Sequence, residues 1–186
     1  MTDTTSSWAF DTGPLRHFAV NGWLGVLKLI AEKNAARVVI PESVEEELLD
    51  QRHSIPALSQ IFDAEWISVD RSTDLDVLAA FAQYEEAFVS GRKNLGECGV
   101  LALGRGLGHT VIIDDETPRR RGIADGIEVR VSLQLLCEGI REKLLTVALV
   151  ESLADDLLSG DYYLPFTRGG FRQWALEEGA LEWDEL

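Results

Sequence analysis

The stretch WAFDTGPL, at positions 8–15, constrains this chain more than any other. A short apolar run ends at an acidic residue, Asp11, and passes through Thr12-Gly13-Pro14 into a helical pattern. Pro14 suits the first turn of a helix, where its missing N–H costs nothing. One carboxylate thus stands where a buried strand stops, which is where open α/β sheets keep their chemistry. Three more acidic marks follow: Glu47 in IPESVEEELL, Glu97 in NLGECGVLAL, and the pair Asp114-Asp115 closing TVIIDD.

The rest of the chain alternates in the same sense. Leu15, Phe18, Ala19, Trp23, Val26, Leu27 and Ile30 recur at helical spacing, with Gly22 and Gly25 placed to split or bend the helix. VVI at 38–40 reads as a second strand, stopped by Pro41 ahead of a helix opened by Glu42-Ser43. Residues 55–63 give a helical turn or two, and WISV at 66–69 an edge strand. A helix over 73–89 and a loop at 90–94 precede a second helix that Gly96-Glu97 opens and Gly108 stops. After the strand TVII, Thr117-Pro118 forms an N-cap and first-turn pair for PRRRGIA. A last strand falls within 127–131, and 132–139, 146–158 and 168–178 read as helices. Strands alternating with helices imply a parallel sheet of four or five strands covered on both faces, a three-layer α/β/α sandwich. The expected organisation is a disordered lead at 1–7, one domain over 8–166, and a C-terminal helix with an acidic, solvated tail at 167–186.

The formal net charge of -15 argues against broad electrostatic attraction to nucleic acid, so such a substrate needs metal ions or a local basic rim. Cys98 and Cys137 both fall in apolar helical patterns and read as reduced core residues. No apolar run approaches the ~18 residues of a membrane span, and the N-terminus lacks the order of a signal peptide. A cytoplasmic protein with no membrane partner is expected.

Four carboxylates at the mouths of a parallel sheet make a hard-oxygen site suited to Mg²⁺ or Mn²⁺. His17, His53 and His109 are scattered and the cysteines form no pair, which disfavours zinc. Such a cluster is costly without a cation, because close like charges raise one another's pKa. With a metal and water it has the parts for phosphodiester hydrolysis. Arg119, Arg120 and Arg121 follow directly, and their forks suit phosphate oxygens. Arg92 and Lys93 could extend a basic rim; Thr12 could orient Asp11 or a metal water, and Ser132 could support the acids from behind. Tyr162-Tyr163 and the tryptophans suit base stacking or, more simply, packing.

These segments resemble the PIN domain, the metal-dependent ribonuclease fold that includes the VapC toxins, over Trp8 to about Pro165. FDTGPL matches the first-strand motif of its DT(S/G)PL branch, VVIPESVEEEL the strand-proline-V-x-x-E pattern, LGECGVLALG the GE-x-E-A-x-x-LA helix, and VIIDDETPRRRG the strand with DD and a basic helix. The resemblance implies Asp11, Glu47, Glu97 and Asp115 as the catalytic acids and ligands of Mg²⁺ or Mn²⁺, with Asp114 the near competitor of Asp115. It implies RNA contacts from Arg119, Arg120, Arg121 and Thr12. It further implies an endonuclease leaving a 5′-phosphate and 3′-hydroxyl, a homodimer, and an antitoxin protein as candidate partner. The chain departs from the pattern at Gly99, where the family often has an acid.

Other readings fit less well. An aspartic protease needs two such carboxylates on an all-β fold. A haloacid-dehalogenase phosphotransferase needs an acid where Gly13 stands, and GRGLGH at 104–109 follows a helix rather than a strand, the reverse of a dinucleotide loop. The rival from another class is a non-catalytic PIN-like binding or assembly module.

Overall fold

The computed structural model describes residues 6–88 and 94–186. Residues 1–5 and most of the expected loop at 90–94, including Arg92 and Lys93, lie outside the described residues. β1 (Ser7–Phe10) runs into α1 (Thr12–Val20), and Gly22, at φ 77°, separates α1 from α2 (Leu24–Lys33). β2 (Arg37–Pro41) feeds α3 (Glu42–Arg52); a 3-10 turn at Pro56–Leu58 and the short α4 (Ser59–Phe62) then lead to β3 (Ile67–Asp70). α5 (Leu75–Phe88) and α6 (Leu95–Leu107) precede β4 (Thr110–Ile112), α7 (Glu116–Ala124) and β5 (Val129–Arg130). α8 (Ser132–Arg141), α9 (Val147–Leu158) and α10 (Phe171–Glu177) follow, with a last 3-10 turn at Trp183–Glu185.

The five strands form one sheet in the order β3-β2-β1-β4-β5, every neighbouring pair parallel. Trp8 to Phe10, Val38 to Ile40 and Val111-Ile112 are buried, because helices cover both faces of the central strands. The edge strands β3 and β5 are only half-buried. This is the expected α/β/α sandwich. No helix among the described residues is long and apolar enough to cross a membrane. Cys98 and Cys137 are free and buried, and burial pushes each thiol up to about 11, so neither is a ready nucleophile.

The strand order decides where a site forms. From β1 the chain builds outward to β2 and β3, then returns to add β4 and β5 on the other side. The direction of winding therefore reverses between β1 and β4, and a crevice opens at their carboxyl ends. The ladder there continues one residue past β1: the Asp11 N–H donates to the Ile112 carbonyl at 3.0 Å. Asp11 is thereby pinned beside the turn that carries Asp114 and Asp115.

Three local expectations shift. Pairing already begins at Ser7, and the Arg37 N–H donates to the Ser6 carbonyl at 2.7 Å, so ordered chain starts inside the stretch read as a disordered lead. α7 starts at Glu116 with Asp115 at the N-cap, not Thr117. Pro118 still lies in the first turn, where no N–H is required. The acidic end is not a wholly solvated tail: Leu181 is 2% exposed, and Arg141 donates to the Ala180 carbonyl.

Gly99 has a packing explanation. A Cβ built on it would lie 2.2 Å from Ser43 Oγ and 2.9 Å from the Pro41 ring, so α6 crosses the end of β2 too closely for any side chain. Replacing Gly99 with alanine is expected to lower the urea midpoint by the equivalent of about 1–3 kcal/mol, the usual cost of overpacking. An unchanged midpoint would show that Ser43 and Pro41 yield freely.

Candidate functional site

Asp11 follows β1 and occupies the N-cap position of α1, in extended backbone (φ −76°, ψ 163°). Its residue is only 5% exposed, its side chain makes no capping hydrogen bond, and Oδ1 is buried with no partner. Burial raises its pKa well above the usual carboxylate range. The charges of Glu97 and then Glu47 push it further, and the nearby amides of Thr12 and Gly13 offset only part of this.

Glu47 reaches from α3 to both sides of this acid. Its Oε2 accepts from the Thr12 hydroxyl at 2.5 Å and its Oε1 from the Gly96 N–H at 2.8 Å. The second bond satisfies an otherwise free amide at the start of α6 and sets negative charge against the positive end of that helix. The approach depends on Gly96, because a Cβ there would come within 2.6 Å of Oε2.

Glu97 sits in the first turn of α6 and is half-buried. Burial raises its pKa, its own amide lowers it, and Glu47 and Asp115 raise it again. Asp11, Glu47, Glu97 and Asp115 therefore form one electrostatically connected group.

The two aspartates after β4 part company. Asp114 turns inward: its Oδ1 accepts from the Ser132 N–H at 2.7 Å, and its Oδ2 from the Ser132 hydroxyl at 2.8 Å and from the Tyr162 hydroxyl. Burial nevertheless leaves its pKa raised, with Asp115 adding to the rise. Asp115 is exposed at the start of α7 and makes no capping bond. Of the pair, it is the one whose carboxylate is free of such bonds among the described residues.

The arginines also separate. Arg121 donates from Nε to Asp125 at 2.8 Å and lies over the Tyr84 ring, while Arg120 pairs with Glu116 at 3.6 Å. Only Arg119 of the three lines the cleft of about 860 Å³ beside Asp11, Asp114 and Asp115. Among its other walls, Tyr162 and Tyr163 were singled out from the sequence for stacking or packing, whereas Arg16 and Asp161 were not. Arg16 and His17 come from α1, and Asp161, Tyr162 and Tyr163 from the loop after α9. His17 packs on Tyr162, with ring centroids 4.6 Å apart. The signal for Arg16 was its place one turn into the helix that Asp11 opens.

The donor set fits a divalent cation in kind: hard oxygens, one of them buried and unpartnered, each acid raising another's pKa. Among the described residues no three acidic, histidine or cysteine side chains converge closely enough to form a finished coordination sphere. A family model described as a PIN domain matches residues 7–168. Neither curated proteins nor solved structures gave a match.

The raised pKa of Asp11 has a sign that can be measured. The folded chain holds this proton more tightly than the unfolded one, so the contribution is full below the unfolded value of about 3.9. It is lost as pH climbs through the raised folded value. Asp11→Asn removes the charge, and at neutral pH the metal-free variant is expected to melt at least about 2–4 °C above the parent, the shift given by roughly 1 kcal/mol in a chain this size. Thermal melts across pH should also show the Asn variant losing less stability as pH rises. A variant less stable than the parent at every pH would mean that the Asp11 carboxylate is satisfied after all.

Proposed function

Because this chain belongs to the PIN domain family, whose members are generally metal-dependent nucleases, we propose that it is an Mg²⁺- or Mn²⁺-dependent endoribonuclease. The observation that carries this reading is the buried Asp11 carboxylate, its Oδ1 without a partner, electrostatically coupled to Glu97 at the sheet's winding reversal. Such an arrangement costs stability while the acids are charged, and a bound cation would relieve that cost.

In this reading Asp11, Glu97 and Asp115 hold the ion, directly or through water. Bound there, it supplies Lewis-acid stabilisation to the phosphate and activates water. Glu47 fixes the Thr12 hydroxyl and the start of α6, setting Asp11 and Glu97 at their separation. Asp114 acts behind Asp115: it anchors Ser132 and the Tyr162 hydroxyl, whose own pKa is raised by burial and by Asp114, so that its proton stays in place as a donor. Arg119, which lines the same cleft, would meet a phosphate oxygen with its fork. The VapC-like assignment, with its homodimer and antitoxin, extends this reading to assembly.

The non-catalytic alternative rests on the acidic surface and on Gly99. Its close packing against Pro41 and Ser43 accounts for that residue without reference to catalysis.

The test is cleavage of a mixed RNA panel by purified protein with Mn²⁺, Mg²⁺ or chelator, beside Asp11→Asn and Glu97→Gln. Metal-dependent cleavage should fall at least ~100-fold in both variants, as expected when charge stabilisation of a transition state is removed. Cleavage that persists in Asp11→Asn, with metal affinity unchanged by calorimetry, would refute this assignment of the site.

A further inference from the structure

Four arginines end on a carboxylate at short range. Arg71 lies 2.5 Å from Glu42 and 2.8 Å from Glu45, Arg121 is 2.8 Å from Asp125, Arg172 is 2.8 Å from Glu151, and Arg130 bonds Glu138. Arg16 does not. Its side chain is 28% exposed, yet its nearest carboxylate oxygen, on Asp161, is 3.6 Å away, beyond a good hydrogen bond. Its Nη1 is 3.4 Å from the His17 ring, and its Nε is buried with no partner at all. A guanidinium has five donors in a fixed fork, and this one, largely withdrawn from water, satisfies few of them.

Its place in the molecule gives that under-use a meaning. Arg16 shares the cleft beside Asp11 with Arg119, which makes no ion pair or side-chain hydrogen bond among the described residues. Asp161, loosely held by Arg16 and by His17 Nδ1 at 3.6 Å, has a 75% exposed side chain and is free to swing away. At the rim Tyr163 is 86% exposed, while Tyr162 beside it is anchored by its hydroxyl to Asp114, so an aromatic face is presented on a fixed base.

We propose that Arg16 and Arg119 form a phosphate-binding subsite for an unpaired RNA strand, with Tyr163 stacking a neighbouring base and Asp161 occupying Arg16 as a stand-in anion until the strand arrives. The choice of RNA rests on the function proposed above; the subsite rests on the arginine and tyrosine geometry. An exposed tyrosine face takes bases that are already unstacked, which favours a single strand over a duplex. In a chain of net charge -15, two under-paired cations in one cleft give the backbone a local place to dock beside the acids that share that cleft.

The experiment measures binding of an end-labelled, unstructured RNA by fluorescence anisotropy, at low ionic strength and in chelator, where the proposed hydrolysis is stopped. Arg16→Ala should weaken binding roughly tenfold or more, and Arg16→Lys should recover part of the loss. Tyr163→Ala should cost about fivefold or more while Tyr163→Phe binds like the parent. Asp161→Asn should bind a few-fold more tightly, and the double variant with Arg16→Ala should lose that gain, because the two act through one contact. A duplex of the same sequence should bind more weakly than the single strand.

Parental affinity in Arg16→Ala, or a gain from Asp161→Asn that survives loss of Arg16, would overturn the subsite, as would absence of any binding by the parent. Circular dichroism guards against misfolded variants. Metal-dependent cleavage that continues beside a failed subsite leaves the nuclease reading standing. Arginine-dependent binding without cleavage under any metal removes that reading and leaves the subsite.

Discussion

The Glu47 carboxylate ties together the segments on which the site depends. One oxygen accepts from Thr12, at the start of α1, and the other from Gly96, at the start of α6. Without it, a hydroxyl and a helix-terminal amide in a part-buried position would lose their acceptors, which is unfavourable for both. With it, Asp11 and Glu97 are held in mutual repulsion by bonds that neither of them makes. The arrangement requires glycine at 96, since any side chain there would displace the carboxylate. A single missing Cβ therefore permits the acidic group to exist.

What the sequence made legible was local. Apolar runs ending in Asp11, Pro41 and Asp114, helical spacing after each, and a left-handed glycine at 108 ending α6 are signals within a few residues of the features they mark. Together they imply the alternating order and hence the parallel sheet. The acids at strand and helix ends were legible for the same reason. What stayed hidden depends on distant pairings: Ser132 was legible as a support for the acids, but no spacing rule shows that it and Tyr162 turn Asp114 inward. The triple arginine shows the limit of composition. Successive residues on a helix point roughly 100° apart, so the three cannot share one direction. Which of them meets the cleft is decided by how α7 packs, and Asp125 and Glu116 take the other two.

The site also sets stability against readiness. A buried carboxylate with an unpartnered oxygen, neighbours of the same sign and a half-satisfied arginine depart from polar pairing, and among the described residues only Ser43 Oγ joins them as a buried side-chain atom without a partner. The acids and the arginine lie together at one crevice, while the sheet beneath them is closely packed and apolar. Any ligand that binds only the folded form, whether cation or anion, stabilises it by mass action. The rigid sheet bears the strain, and the crevice presents the unmet electrostatic demand.

Strand order has a last consequence, in biosynthesis. β1 is made first but lies in the middle of the sheet, where Phe10 pairs with Ile112 and Asp11 bonds to the same residue. An emerging chain holds Asp11 from the outset, yet its crevice has no far wall until β4 has left the ribosome, and no roof until Tyr162 has followed. A ribosome making this protein is thus separated in time from the finished acidic cleft, which is assembled only after β4 and then Tyr162 have emerged.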